Sequence, residues 1–330
     1  MIPFSSDNKC TGLLEKTGNR EYPTDYLLSR LRARRAALIK DYHLIASSNP
    51  PLDLLPSQYA KFFDGQSADG VWESLMKDLR WVYFQMNSRL QGIFRPLFFC
   101  YELRTIFICL RYRAANKNEE MERALSLSLL SDGLKDIMRS GDNISSVVEG
   151  LENTLEVLSE GFRGLAAIFA EKGHREAERA LMNAYLEHIV AANIHPVMDF
   201  FFSYIIDMRN VVALYKHLRW DIKSPPPFVH GGSIGEMKFK ETLDKRMMPD
   251  IGPLIYKLTG AGIKHLNGTA IENTLLRGLT GQLRARGKDP LDIGLIIDYL
   301  WRRYLVARNL STIIYGKGLG REAVYDGIIQ

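Results

Sequence analysis

The sequence predicts an all-α protein made of three similar helical subdomains. Three observations lead there. Apolar residues recur with helical rather than alternating spacing, no series of strands and hairpin turns interrupts them, and one proline-led helical segment returns at intervals of about 100 residues. The 330 residues are 46% hydrophobic and 25% charged, an ordinary globular composition sufficient for one large domain or two to three smaller ones.

In chain order, residues 1–21 form an expected N-terminal extension. Its sequence, "MIPFSSDNKCTGLLEKTGNRE", lacks the basic segment followed by an apolar run that marks a secretory signal. The first helical repeat, 22–120, opens with "YLLSRLRARRAALI", which places Leu27, Leu31 and Leu38 on one side of a helix and arginines on the other. It closes with "RPLFFCYELRTIFICLRYR". The second repeat, 121–222, contains a helical stretch over 144–172 with Ser146 and Glu149 at capping-box spacing, followed by Leu151, Leu155, Leu158 and Phe162. It ends in "HPVMDFFFSYIIDMRNVVALYKHLR". A Pro/Gly-rich segment, "KSPPPFVHGGSIG" at 223–235, reads as an exposed loop. The third repeat, 236–330, carries "DPLDIGLIIDYLWRRYLVARNLSTIIYGKG". Further breaks are expected at 47–56, 63–70, 139–143 and 286–290, where Pro, Gly, Asn, Asp and Ser cluster.

The repeat rests on position. Pro96, Pro196 and Pro290 are separated by 100 and 94 residues, and Thr105, Asn210 and Asn309 by 105 and 99. In the first two copies an acid lies three residues earlier, Glu102 and Asp207, and a base six residues later, Arg111 and Lys216. In the middle copy Phe201, Tyr204, Ile205, Met208, Val211, Val212 and Tyr215 make one apolar face, while Ser203, Asp207 and Asn210 share a strip beside it. A buried carboxylate without a partner is costly, so this strip is expected to be a structural polar seam between helices, with Glu102, Thr105 and Asn309 as its counterparts.

Catalytic chemistry finds little support. "GQLRARGKD" (281–289) has five rather than four residues between Gly281 and Gly287 and ends in Asp289 where a phosphate loop needs Ser or Thr. "GKGLGRE" (316–322) follows a helix, not a strand, and reads as a helix stop near Gly316. Cys10, Cys100 and Cys109 show no CxxC spacing, and the seven histidines, among them His188, His195, His217 and His265, form no HExxH pair. No nucleophile elbow occurs. No catalytic residue, metal ligand or cofactor is therefore expected, and the cysteine usage fits a reducing compartment. The greasiest windows are broken by Arg95, Glu102 and Arg104, or by Asp207 and Arg209, so no membrane span is expected.

Net charge is +5, with 43 Lys and Arg interleaved among 38 Asp and Glu. Arg30, Arg32, Arg34 and Arg35 form one basic cluster, and Arg277, Arg284, Arg286 and Lys288 another. They read first as solvated helix faces. As partner-facing candidates, Arg30, Arg34, Arg284 and Arg286 would meet an acidic protein or, as a lesser alternative, nucleic acid; no zinc finger or RRM signature accompanies them. A helical enzyme with a composite active site is a further alternative, to be recognised by a deep polar pocket.

The segment "YLWRRYLVARNLSTIIYGKGLGREAVYDGII" resembles the C-terminus of the central-stalk family of V-type and A-type ATPases (ATP synthases) whose members are the C subunits, or d subunits in eukaryotes. The matching positions are Tyr299, Leu300, Arg303, Asn309, Leu310, Ile313, Gly316 and Lys317. "YIIDMRNVVALYKHLR" is similar to the family's repeated Asp-x-x-Asn-aliphatic segment, and "YLLSRLRARRAALI" to its opening helix, so the resemblance covers roughly residues 22–330. The chain departs from the pattern at Val306, where an acid is usual, at Thr105, where Asn is usual, and in the prolines of 224–227. The resemblance implies a funnel-shaped all-helical protein of three subdomains in pseudo-threefold arrangement. It would be a non-catalytic part of the central rotor at the cytoplasmic face of the membrane proteolipid ring, forming a socket for the central stalk and coupling ATP turnover to proton or sodium transport.

Overall fold

The computed structural model describes residues 12–18, 22–47, 55–64, 69–140, 143–316 and 320–329. Cys10, Lys317 and much of the expected breaks at 47–56 and 63–70 lie outside them. The described residues form helices and no strand; an isolated antiparallel bridge joins Leu14 and Leu130. The helices are α1 (Thr24–Ala36), α2 (Tyr42–Ser47), α3 (Ser57–Asp64), α4 (Asp69–Gln85), α5 (Ser88–Ala114), α6 (Asn118–Leu127), α7 (Asp132–Ser140) and α8 (Ile144–Glu156). They continue with α9 (Leu165–Lys172), α10 (His174–Ala192), α11 (Pro196–Arg219), α12 (Glu236–Lys245), α13 (Ile251–Thr259), α14 (Gly268–Arg286), α15 (Gly294–Tyr315) and α16 (Arg321–Gly327). None among the described residues is long and apolar enough to cross a membrane.

The chain divides into two compact units, one of Met1–Tyr22 with Leu79–Phe202, the other of Pro23–Asp78 with Ser203–Gln330. In the first, α5 packs against α6, α8 and α10. Its buried face carries Phe94, Phe98, Phe99, Leu103 and Ile106. Aromatic edges lock this face: Tyr83 meets Phe98 with centroids 5.1 Å apart, and Phe99 meets Tyr185 at 5.2 Å. Residues 13–15 belong to the same core. Leu13 and Leu14 are buried, and Glu15 pairs with Arg80 at 2.6 Å and Lys135 at 2.7 Å.

Two helix starts differ from the sequence reading. The segment expected to begin near Pro96 begins at Ser88, where the Asn87 side chain accepts the Leu90 N–H at 3.0 Å, and runs through the proline. Proline removes one intrahelical donor, but the burial of Leu90, Ile93, Phe94 and Leu97 around it outweighs that single bond. The stretch 144–172 starts from Asn143, with Ser146 as the reciprocal partner in the capping box. It also breaks. Gly164 takes φ +86°, and Glu152 reaches back to accept the N–H groups of Gly164 and Ala166 at 2.7 Å each, capping α9 separately from α8.

In the second unit α15 packs with α1, α14 and α16. It is buried on nearly every face, from Leu295, Ile296 and Ile297 through Leu310 to Ile314, as a helix enclosed by others must be. Four polar residues are buried in it, Asp298, Arg303, Asn309 and Ser311. Trp301 Nε1 donates to Thr280 Oγ1 at 2.9 Å, fixing α15 against α14.

Phe98 is fully buried and in edge contact with Tyr83. Phe98→Ala should cost about 3–5 kcal/mol of unfolding free energy. Urea denaturation would measure it, and a loss within error of zero would contradict the packing.

Candidate functional site

The expected polar seam grips loops rather than neighbouring helices. On α11, Ser203 Oγ donates to the Gly231 carbonyl at 2.9 Å. Asp207 accepts the Ser233 N–H at 2.8 Å, the Ser233 hydroxyl at 2.5 Å and the Ile234 N–H at 3.1 Å. Asn210 closes a two-bond ring with Val229, donating from Nδ2 to its carbonyl at 2.8 Å and accepting its N–H at 2.9 Å. All three hold the Pro/Gly-rich segment 223–235. That segment is irregular as expected, yet Pro226, Val229 and Ile234 are buried in it. Asp207 is completely buried, and the loop lies so close that a Cβ added to Gly232 would collide with Asp207 Oδ1.

The first copy repeats this chemistry. Glu102, 1% exposed on α5, accepts the Ser128 hydroxyl at 2.8 Å and the Leu129 N–H at 2.7 Å, with Thr105 hydrogen-bonded beside it. The register is identical in the two copies. The hydroxyl comes from the serine 26 residues after the acid, and an N–H from the residue 27 after it. The third copy, α15, has Val306 in the acid's place but keeps the amide. Asn309 donates to the Ile329 carbonyl at 2.7 Å and accepts its N–H at 3.0 Å, a span of 20 residues against 19 for Asn210 and Val229. Ser128, Leu129, Val229, Ser233, Ile234 and Ile329 were all missed from the sequence. Laying the repeats in register would have exposed the two serines.

Burial pushes the Glu102 and Asp207 carboxyl groups above their ordinary values of 4.5 and 3.8, and the hydrogen bonds from the clamped loops pull them part of the way back. Glu15 moves the other way, because Arg80 and Lys135 outweigh its burial.

A second polar cluster lies around α15. Asp298 takes Arg35 at 2.8 Å and Arg302 at 2.9 Å, and Arg35 also donates to the Gly287 carbonyl at the end of α14. Arg303, buried, pairs with Asp78 at 2.5 Å and donates to the Tyr59 hydroxyl at 2.6 Å. Of the four arginines expected to face a partner, Arg34 is engaged internally, pairing with Asp78 at 3.1 Å. Arg30 is exposed and lies over the Tyr26 ring at 5.5 Å. Arg284 and Arg286 are exposed at the end of α14. Arg284 lines an open cleft of about 700 Å³ with Arg32, Arg35, Lys40, Lys288 and Arg302, residues that the sequence reading had not brought together.

Two results would test the clamp. Asp207→Ala, which strands two loop N–H groups, should lose about 2–4 kcal/mol, and Gly232→Ala about 1–3 kcal/mol by crowding the carboxylate. In a double-mutant cycle the glycine substitution should be nearly neutral once Asp207 is alanine; strict additivity in chemical denaturation would rule out the contact. The pH dependence has a definite sign. A carboxyl group with a raised folded value contributes stability that is full below its unfolded value and lost as pH rises through the folded one. Glu102→Gln should therefore gain stability relative to the parent as pH rises above the ordinary value of 4.5, and parallel denaturation profiles on either side of that value would contradict it.

The ATP synthase (C/AC39) subunit family model matches residues 60–325, a span that takes in α5, α11 and α15 with the clamping side chains Glu102, Asp207, Asn210 and Asn309. No curated protein matches the chain.

Proposed function

As the chain belongs to the ATP synthase (C/AC39) subunit family, the central-stalk subunits of V/A-type rotary ATPases, we propose that it is the non-catalytic socket linking the stalk to the membrane proteolipid ring. The observation that carries this reading is the family match over residues 60–325. In this role the protein couples ATP turnover in the soluble head to proton or sodium movement, and it sits peripherally at the cytoplasmic face through its partners.

A torque-bearing part must not let its helices slip or its loops peel away. The clamps supply resistance of this kind. Each ties a long helix to a segment between about 19 and 27 residues further along, through buried charge-assisted or bidentate bonds worth roughly 1–3 kcal/mol apiece. Their recurrence at 26 and 27 residues after Glu102 and Asp207, and at 19 and 20 after Asn210 and Asn309, supports descent of the helices from one repeated unit. We take the repeated helical subdomains as three. In this reading exposed bases such as Arg30 and Arg286 would meet acidic residues of the stalk or of the ring loops.

The reading is tested by affinity purification from detergent-solubilised membranes. Tagged protein should bring down stalk subunits and the proteolipid ring of one rotary ATPase. Recovery of nucleic acid in a salt-sensitive complex, with no ATPase subunit present, would replace the socket with an adaptor.

A further inference from the structure

A cleft lined by basic side chains opens at the ends of α1 and α14. Two adjoining spaces share Arg35, Lys40, Arg284 and Arg302. The outer, of about 700 Å³, adds Arg32 and Lys288; the inner and more enclosed, of about 160 Å³, is walled by apolar side chains including Tyr42, Leu305 and Ile329. Among the described residues no carboxylate lines either space. The outer volume falls within the range of about 300–1,000 Å³ typical of small-ligand sites.

The cations are oriented as well as gathered. Asp298, 1% exposed at its side chain, holds one edge of Arg35 and one edge of Arg302, and the Gly287 carbonyl takes a further bond from Arg35. Both guanidiniums are thereby fixed before any ligand arrives. Arg284, Lys40, Arg32 and Lys288 make no ion pair among the described residues. The guanidinium of Arg284 is held below its ordinary range by partial burial and by the positive charge of Arg302, a cost that an anion would relieve.

We propose that this cleft binds a compact, multiply charged phosphate group, a polyphosphate free in solution or the phosphorylated headgroup of a lipid. Three guanidinium forks around an enclosed, partly apolar space suit a tetrahedral oxyanion, which accepts bidentate bonds from several directions. Arg35 and Arg302 provide the fixed floor, and Arg284 and Lys40 close on the ligand. An extended acidic peptide would use the outer cleft and leave the inner space unfilled.

The test uses the full chain and inorganic tripolyphosphate in isothermal titration calorimetry, beside sedimentation with vesicles containing phosphatidylinositol bisphosphate or, at equal charge, phosphatidylserine. Saturable 1:1 binding of tripolyphosphate that weakens with salt is expected for a free anion. Selective capture by the phosphoinositide vesicles is expected for a headgroup. In either arm the Arg284→Gln/Lys40→Gln variant should bind about tenfold or more weakly, since it removes two charge-assisted contacts. Lys288→Glu serves as a second variant should the first not fold. Absence of binding in both arms, binding unchanged in the folded variants, or poly-glutamate binding as tightly as tripolyphosphate would each overturn the proposal.

Discussion

A carboxylate can be buried in an apolar helix only if hydrogen-bond donors or a counter-charge are delivered to it, and this constraint organises the molecule. Asp207 and Glu102 have essentially no solvent access, and each obtains its donors from a segment that returns 26 to 27 residues later. The loop is thereby held by the helix, and the helix's charge is made tolerable by the loop. The two approach so closely that a side chain at Gly232 would strike Asp207. Asn210 and Asn309 do the same work without charge, since an amide presents a donor and an acceptor together and so satisfies both groups of one peptide.

Around α15 the same problem is solved by ion pairing. Asp298 and Arg303 are buried in a helix enclosed on nearly every face, and their partners come from elements far away in sequence: Arg35 for the first, Asp78 and Tyr59 for the second. Breaking one partner of such a pair leaves a charge without compensation, so these contacts specify a single packing even where their net contribution to stability is modest. The arrangement also leaves a surplus. Arg35 and Arg302 share one carboxylate while further bases crowd beside them, and this local imbalance gives the cleft its affinity for anions.

In this member of a rotary-ATPase subunit family, buried polar side chains of the long helices hold segments of the chain to those helices. Glu102, Asp207 and Asn309 have their hydrogen bonds directed at the backbone of the same chain. Arg30, Arg284 and Arg286 are exposed.

Much of this was legible in the sequence, for reasons that can be named. Helical class follows from local periodicity, and the positions of Glu102, Asp207, Asn210 and Asn309 within their helices follow from the same pattern, which needs only one dimension. The polar strip of Ser203, Asp207 and Asn210 was visible because a helix fixes which residues share a face. What that strip holds was not visible. Periodicity describes an element's own faces and carries no information about which irregular segment will lie on them, so the loop at 223–235 read as exposed although its backbone is bound. The helix running through Pro96 and the convergence of Arg35, Arg284 and Arg302 were decided by tertiary packing. Each depends on burial or on charges brought together from distant positions, and those energies exist only once the chain has folded.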